Sequence, residues 1–249
     1  MQTTTPGADL AHEIERLSHD GLHRPDEWLR FLAMDVLAGF GKHLEEPWSE
    51  YHHERLFGIA LLYAKRVLES PRSDILGSAY MELSSHGHRQ WMGQFFTPEC
   101  IADLAAEMTF AGTERLLEKD GSELIRVMEP AAGAGAMLLA TCKAVDGHCG
   151  ADVLRRFSFT AIDLDGLCAH MAAAQLLANA HIHAALGEVL VYHGNALTDE
   201  RFQTVIHATA LPLGDEQPPA VVPAEDPRRI EAVREAATSH FGEQLSLFV

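Results

Sequence analysis

The run Glu129-Pro130-Ala131-Ala132-Gly133-Ala134-Gly135 joins a short apolar stretch, Leu124–Met128, to a helical one, Met137–Ala144. Glycines let a backbone turn tightly and approach a ligand with no Cβ in the way. The amides that open the following helix then point at that ligand. Such a joint either cradles a small molecule or serves packing alone. Two more polar groups favour the cradle. Asp163 closes the next apolar run about thirty residues on, and an acid at the end of a second strand is placed to accept both hydroxyls of a ribose. Asn195, in Gly194-Asn195-Ala196-Leu197, closes the third run, where a short polar side chain can read an adenine edge. All three sites fall at the carboxyl ends of successive strands, where an open α/β sheet binds its ligand. A dinucleotide-binding GxGxxG loop is the competitor. Here Leu138 holds the third glycine's place and an acid–proline pair leads the loop, so that reading fits less well.

The elements that must position these residues alternate. Strands are expected at Leu124–Met128, Phe157–Ile162, Val189–Tyr192 and Thr204–Ala208, with helices at 137–144 and about 167–180. Short apolar runs alternating with helical patterns indicate an α/β fold on a parallel sheet. Ahead of them, Thr97-Pro98-Glu99 reads as a helix opening, with a hydroxyl cap, proline in the first turn and an acid facing the dipole. Ile101, Leu104, Ala105 and Met108 are its expected buried stripe.

Residues 25–85 read as three helices with matched apolar faces, a small bundle or cap. Pro25-Asp26 opens the first, with a stripe of Trp28, Leu29, Leu32, Val36, Leu37 and Phe40. Ser49 caps the second, whose face carries Leu56, Phe57, Ala60, Leu61, Ala64, Val67 and Leu68. Ser73 starts the third, and residues 1–24 read as a polar, mobile start. Residues 212–227, rich in proline and acid, read as a linker before a short helix and the closing GEQLSLFV. The expected division is a helical domain over 1–90, a ligand-binding domain over 91–211, and a tail over 212–249.

Composition narrows the function. With 249 residues, 47% of them hydrophobic, the chain can build one substantial core. It lacks any run of about 18 apolar residues, so no membrane span is expected. The N-terminus is polar and acidic, unlike a signal peptide. Cys100, Cys142, Cys149 and Cys168 lack CxxC spacing and read as reduced cytoplasmic thiols. The 15 histidines lack ligand spacing, so no metal site is expected. Nineteen basic against 36 acidic residues give a net charge of −17. Gripping duplex DNA across many phosphates calls for the opposite balance, so nucleic acid must be met by a local patch or through a partner.

Taken in order, DILGSAYMEL, GQFFTPECIADL, EPAAGAGAMLLA, AIDLD and HGNAL resemble the N6-adenine DNA methyltransferases of type I restriction-modification systems, over about residues 73–208. The resemblance implies a helical N-terminal domain followed by a Rossmann-like class I domain that binds S-adenosylmethionine. By position, Phe96, Thr97 and Pro98 would line the methionine end of the cofactor. Glu129, Ala131, Gly133 and Gly135 would surround its methionine moiety, Asp163 would hold the ribose, and Asn195, often Asp in the family, would meet the adenine.

The family's catalytic run, Asn or Asp, two prolines and an aromatic after the fourth strand, orients the adenine amino group and stacks on the flipped base. Here the corresponding residues are Thr209-Ala210-Leu211-Pro212-Leu213-Gly214, and Gln217-Pro218-Pro219-Ala220 has the prolines without the aromatic. The later strands and a target-recognition domain also have too few residues left, so a truncated member is expected, either a weak or assisted methyltransferase or a binding protein derived from one. The last residues, Gln244-Leu245-Ser246-Leu247-Phe248, resemble the peptide by which bacterial replication and repair proteins hold the DNA sliding clamp. Glutamine would bond at the pocket edge, with Leu245, Leu247 and Phe248 in the cleft. Docking of those side chains on the chain's own core is the alternative.

Overall fold

A computed structural model describes residues 5–42, 50–84, 96–110, 124–198 and 200–210. Its first element was not expected. Helix α1, Ala8–Ser18, buries Leu10, Ala11 and Ile14, and its Asp9 accepts hydrogen bonds from Arg66. The i, i+4 pair Leu10 and Ile14 was the available signal inside a segment whose polar composition suggested mobility.

Helix α2, Pro25–Gly39, opens with proline in its first turn, and the Arg24 amide donates to Glu27 at 2.8 Å. Trp28, Leu29, Leu32 and Leu37 are buried as expected, whereas Phe40 lies near the surface. Helix α3, Glu50–Glu69, buries Leu56 and Val67 as expected, but with them Ile59 and Tyr63, which the expected face lacked. Helix α4, Ile75–Leu83, is capped by Asp74, which accepts from the Gly77 amide at 2.9 Å. Ser73, the expected start, instead donates to Glu99 at 2.9 Å.

Helix α5, Glu99–Phe110, corrects a further expectation. Its inward stripe is Ala102, Ala106 and Phe110, while Ile101, Leu104 and Met108 are exposed. The small residues let α5 lie close on α6, Ala136–Cys149, and Lys143–Asp103 and His148–Glu107 contacts at 2.7 Å fix the pair.

The sheet has the order β1-β2-β3-β4. Strands β1 (Ile125–Glu129), β2 (Phe157–Asp163) and β3 (Glu188–Asn195) run parallel. The crossovers are α6 with a short 3₁₀ turn, Ala151–Arg156, and then α7, Gly166–Ile182. Strand β4, Glu200–Thr209, runs antiparallel to β3, against the expectation of a parallel partner. The cause is local. Parallel pairing needs a crossover of a dozen or more residues, and here Asn195 already pairs with Glu200. Asn195 Oδ1 accepts from the Leu197 amide at 2.9 Å, which reverses the chain. Thr209 therefore sits opposite Glu188, at the start of β3, and the Ala210 amide donates to Gly187.

Helix α7 holds the layers together. Residues 171–179 along it are buried on every side, because it packs against the sheet on one flank and α2, α3 and α4 on another. The buried side chains of the N-terminal helices and of the sheet form one continuous cluster. The expected boundary at residues 90/91 and the whole tail from 212 lie outside the described residues. No helix among the described residues is long and apolar enough to cross a membrane.

Candidate functional site

The loop between β1 and α6 is anchored by groups from other elements. The Ala132 amide donates to the Ile162 carbonyl at 2.9 Å, and the Gly133 amide to Asp163 Oδ2 at 2.7 Å. Glu129 Oε1, at the end of β1, accepts from the Ala131 amide at 3.2 Å. The two glycines have separate reasons. Gly133 has φ +54°, and a Cβ there would stand 3.2 Å from the Phe96 ring. Gly135, at φ +94°, begins α6, and a Cβ there would stand 3.3 Å from the Ala172 Cα of α7. One glycine admits an aromatic ring at the mouth of the site; the other admits a helix behind it.

Between this loop and α5 lies a cavity of about 570 Å³. Of the residues singled out in the sequence, Phe96, Thr97, Glu129, Ala131, Gly133 and Asp163 line it. Pro98, Gly135 and Asn195 are not in its wall. Pro98 starts α5, its carbonyl accepting from the Ile101 and Ala102 amides. Gly135 shapes the loop from behind, and Asn195 serves the β3–β4 turn.

The charge of the wall is one-sided. Among the described residues its ionisable groups are Glu129, Asp163 and Cys168, with no lysine, arginine or histidine. Burial pushes the Asp163 carboxyl above the usual aspartate range, although the Asp165 and Gly133 amides oppose that. A cation in the cavity would favour its ionised form. Burial, helped by Asp163 and Asp165, likewise raises the Cys168 thiol.

Several contributors escaped sequence reasoning. Ile101 and Ala105, expected in the core, and Met137 and Cys168 also line the wall. Tyr80 of α4 stacks on Phe96 with ring centres 5.2 Å apart. Gln175, fully buried on α7, donates to the Ala134 carbonyl at 2.8 Å. A glutamine inside an Ala- and Leu-rich helix was the one signal for the last of these. Of the residues that stand where the catalytic run was looked for, β4 delivers Thr209 and Ala210 to the end of the sheet away from the glycine loop. Leu211 to Gly214, Gln217 and the peptide Gln244–Phe248 lie outside the described residues.

No curated protein and no solved structure matches the chain. One family model does, described as N-6 DNA Methylase, over residues 71–223, a span running from the α3–α4 joint through the glycine loop and the whole sheet. That is more than half of the sequence, and the chain belongs to the N-6 DNA methylase family.

Proposed function

We propose that the chain is an S-adenosylmethionine-binding, DNA N6-adenine methyltransferase-like protein whose cofactor occupies the cavity between the glycine loop and α5. The observation that carries this is the charge of the wall: two carboxylates and, among the described residues, no basic group. S-adenosylmethionine brings a sulfonium and an ammonium, which such a wall attracts. The phosphates of a dinucleotide would meet Glu129 and Asp163 instead. The volume lies within the range of small-molecule sites.

In this reading Glu129, Ala131 and Gly133 hold the methionine moiety, with Gly135 shaping the loop beneath. Phe96, Thr97 and Pro98 close its end, Asp163 takes the ribose hydroxyls, and Asn195 meets the adenine from the β3 turn. When bound, the cofactor supplies an electrophilic methyl group, and the residues named here bind and orient it. A Rossmann-like class I domain over 91–211, with a helical domain over 1–90, belongs to the same reading. Three parallel strands with α-helical crossovers and the loop after β1 support it. A cytoplasmic, restriction-modification setting, in which DNA reaches this acidic chain through a local patch or a partner subunit, is also part of the proposal.

One observation favours a second reading, a binding protein without transferase activity. Thr209 and Ala210, with which the segment matched to the base-orienting run begins, lie at the end of the sheet opposite the cavity. On that reading the tail residues Gln244, Leu245, Leu247 and Phe248 tether the chain to the bacterial sliding clamp. The proposed cofactor is tested by calorimetric titration with S-adenosylmethionine and S-adenosylhomocysteine; folded protein giving no heat with either removes it. Transfer of labelled methyl to mixed-sequence DNA separates the readings: adenine methylation by the chain alone supports the enzyme, and cofactor binding without transfer supports the binding protein. A peptide of residues 241–249 that ignores the clamp ends the tether.

A further inference from the structure

We infer that Gln175 is a positioning residue for the glycine loop, fixing the Ala134 peptide against the first turn of α4. The inference rests on the cavity being the cofactor site.

Gln175 is fully buried near the middle of α7, among alanines and leucines. An uncharged polar side chain in such surroundings is tolerated only when its bonding capacity is met. A carboxamide offers two donors and two acceptor lone pairs, and all four are engaged. Oε1 accepts from the Ile75 amide at 2.8 Å and the Leu76 amide at 3.0 Å. Nε2 donates to Asp74 Oδ1 at 2.7 Å and to the Ala134 carbonyl at 2.8 Å. Rotating the amide by half a turn would set oxygen against a carboxylate and a carbonyl, so the surroundings dictate its orientation.

The two halves of the amide do different work. The oxygen satisfies helix-start amides of α4, a purely structural task. The nitrogen reaches across to the loop that shapes the cavity, and helix capping alone does not call for that bond. A second contact runs in parallel, because α4 also carries Tyr80, which stacks on Phe96, the ring that Gly133 admits. Helix α4 therefore bears on consecutive parts of the loop, on Gly133 through two aromatic rings and on Ala134 through Gln175. The loop's position depends on where α4 sits.

Asn179, one turn further along α7, supplies the comparison. It is also buried and bonded, accepting from the Arg72 amide at 2.8 Å and donating to the Gln175 carbonyl at 2.9 Å. None of its bonds reaches the loop.

The test uses the full chain as wild type, Gln175→Met, Gln175→Glu and Asn179→Leu. Hydrogen exchange across residues 129–138 is measured without ligand, beside calorimetric titration with S-adenosylmethionine. Gln175→Met should raise exchange in the loop and weaken cofactor binding by about tenfold or more, whereas Asn179→Leu, at a similar loss of thermal stability, should leave both within about twofold. Gln175→Glu keeps an acceptor for the α4 amides and removes the donor to Ala134, and it also sets a second carboxyl against Asp74, so exchange should rise in the loop and in the first turn of α4 together. It carries the test if Gln175→Met does not fold. Loop exchange in the Gln175 variants no faster than in Asn179→Leu overturns the inference. If the exchange result holds but the wild type binds no S-adenosylmethionine, the positioning role stands and the proposed cofactor falls.

Discussion

Between Glu129 and Gly135 the chain is held by Ile162, Asp163 and Gln175, groups that lie some thirty to forty positions away, as parallel strands and their crossovers require. Between Asn195 and Glu200 the hydrogen bonds of the turn are its own, Leu197 to the Asn195 side chain and Thr198 to its carbonyl. The first segment is a shape imposed from outside, with two glycines in conformations other residues resist. The second is a local reversal, and the strand it launches shows two register shifts against β3. The family's cofactor-binding half and its base-orienting half would map onto these two regions. Tight long-range anchoring surrounds the first, and the second follows its local turn to the far end of the sheet.

The largest effect is expected where outside anchoring is densest. Gly135→Val forces a branched side chain to positive φ and into Ala172, and should cost about 3 kcal/mol of folding stability by chemical denaturation. A loss under about 1 kcal/mol would show that the loop yields more easily than its contacts suggest. Next, Asp163→Ala removes both the buttress for the Gly133 amide and the proposed ribose acceptor. S-adenosylmethionine affinity should fall at least about tenfold by calorimetry. Asn195→Ala touches only the local turn, with an expected stability cost of about 0.5–1 kcal/mol and a smaller affinity loss than Asp163→Ala. The reverse ranking would move the cofactor's weight from the loop to the hairpin.

The smallest expected effect concerns Asp74, which joins Gln175 to the cap of α4. Burial raises its carboxyl above the usual aspartate value. An acid whose folded-state pKa exceeds its unfolded value loses stabilisation as pH rises from the unfolded pKa through the folded one. Asp74→Asn should therefore gain stability relative to wild type as pH rises above about 4, and denaturant titrations across pH 4–7 read the difference. A constant difference across that range would show that Asp74 does not titrate in the native state within it.

The loop, its acid partners and the order of strands were legible because each depends on a few residues in a row. Glu129-Pro130 through Gly135 and Asp163 needed no knowledge of neighbours. The face of α5 was not legible in the same way. Its apolar residues Ile101, Leu104 and Met108 outbid Ala102 and Ala106 in any periodicity argument, yet the alanines go inward because only small side chains let α5 reach α6. On α3 the expected Leu56 and Val67 are buried, and Ile59 and Tyr63 join them by meeting neighbours the sequence does not show. The direction of β4 was readable in principle. Too few residues separate it from β3 for a crossover, a length argument that strand composition obscured.

The cysteines turn this layering into a chemical clock. Cys100 lies exposed on α5 and Cys149 is half-buried at the end of α6, while Cys142 and Cys168 are enclosed. Burial pushes the Cys142 thiol up to about 12 and raises that of Cys168 as well, so both stay protonated near neutrality. A protonated thiol is a poor nucleophile. Cys168 can thus sit in the wall of a cavity proposed to hold an alkylating cofactor without being alkylated itself. A thiol reagent added to the native chain meets Cys100 first. Cys168, 2% exposed in the cavity wall, should follow far more slowly, so the labelling rate of that sulfur, and its protection by a ligand, report on the occupancy of the cavity.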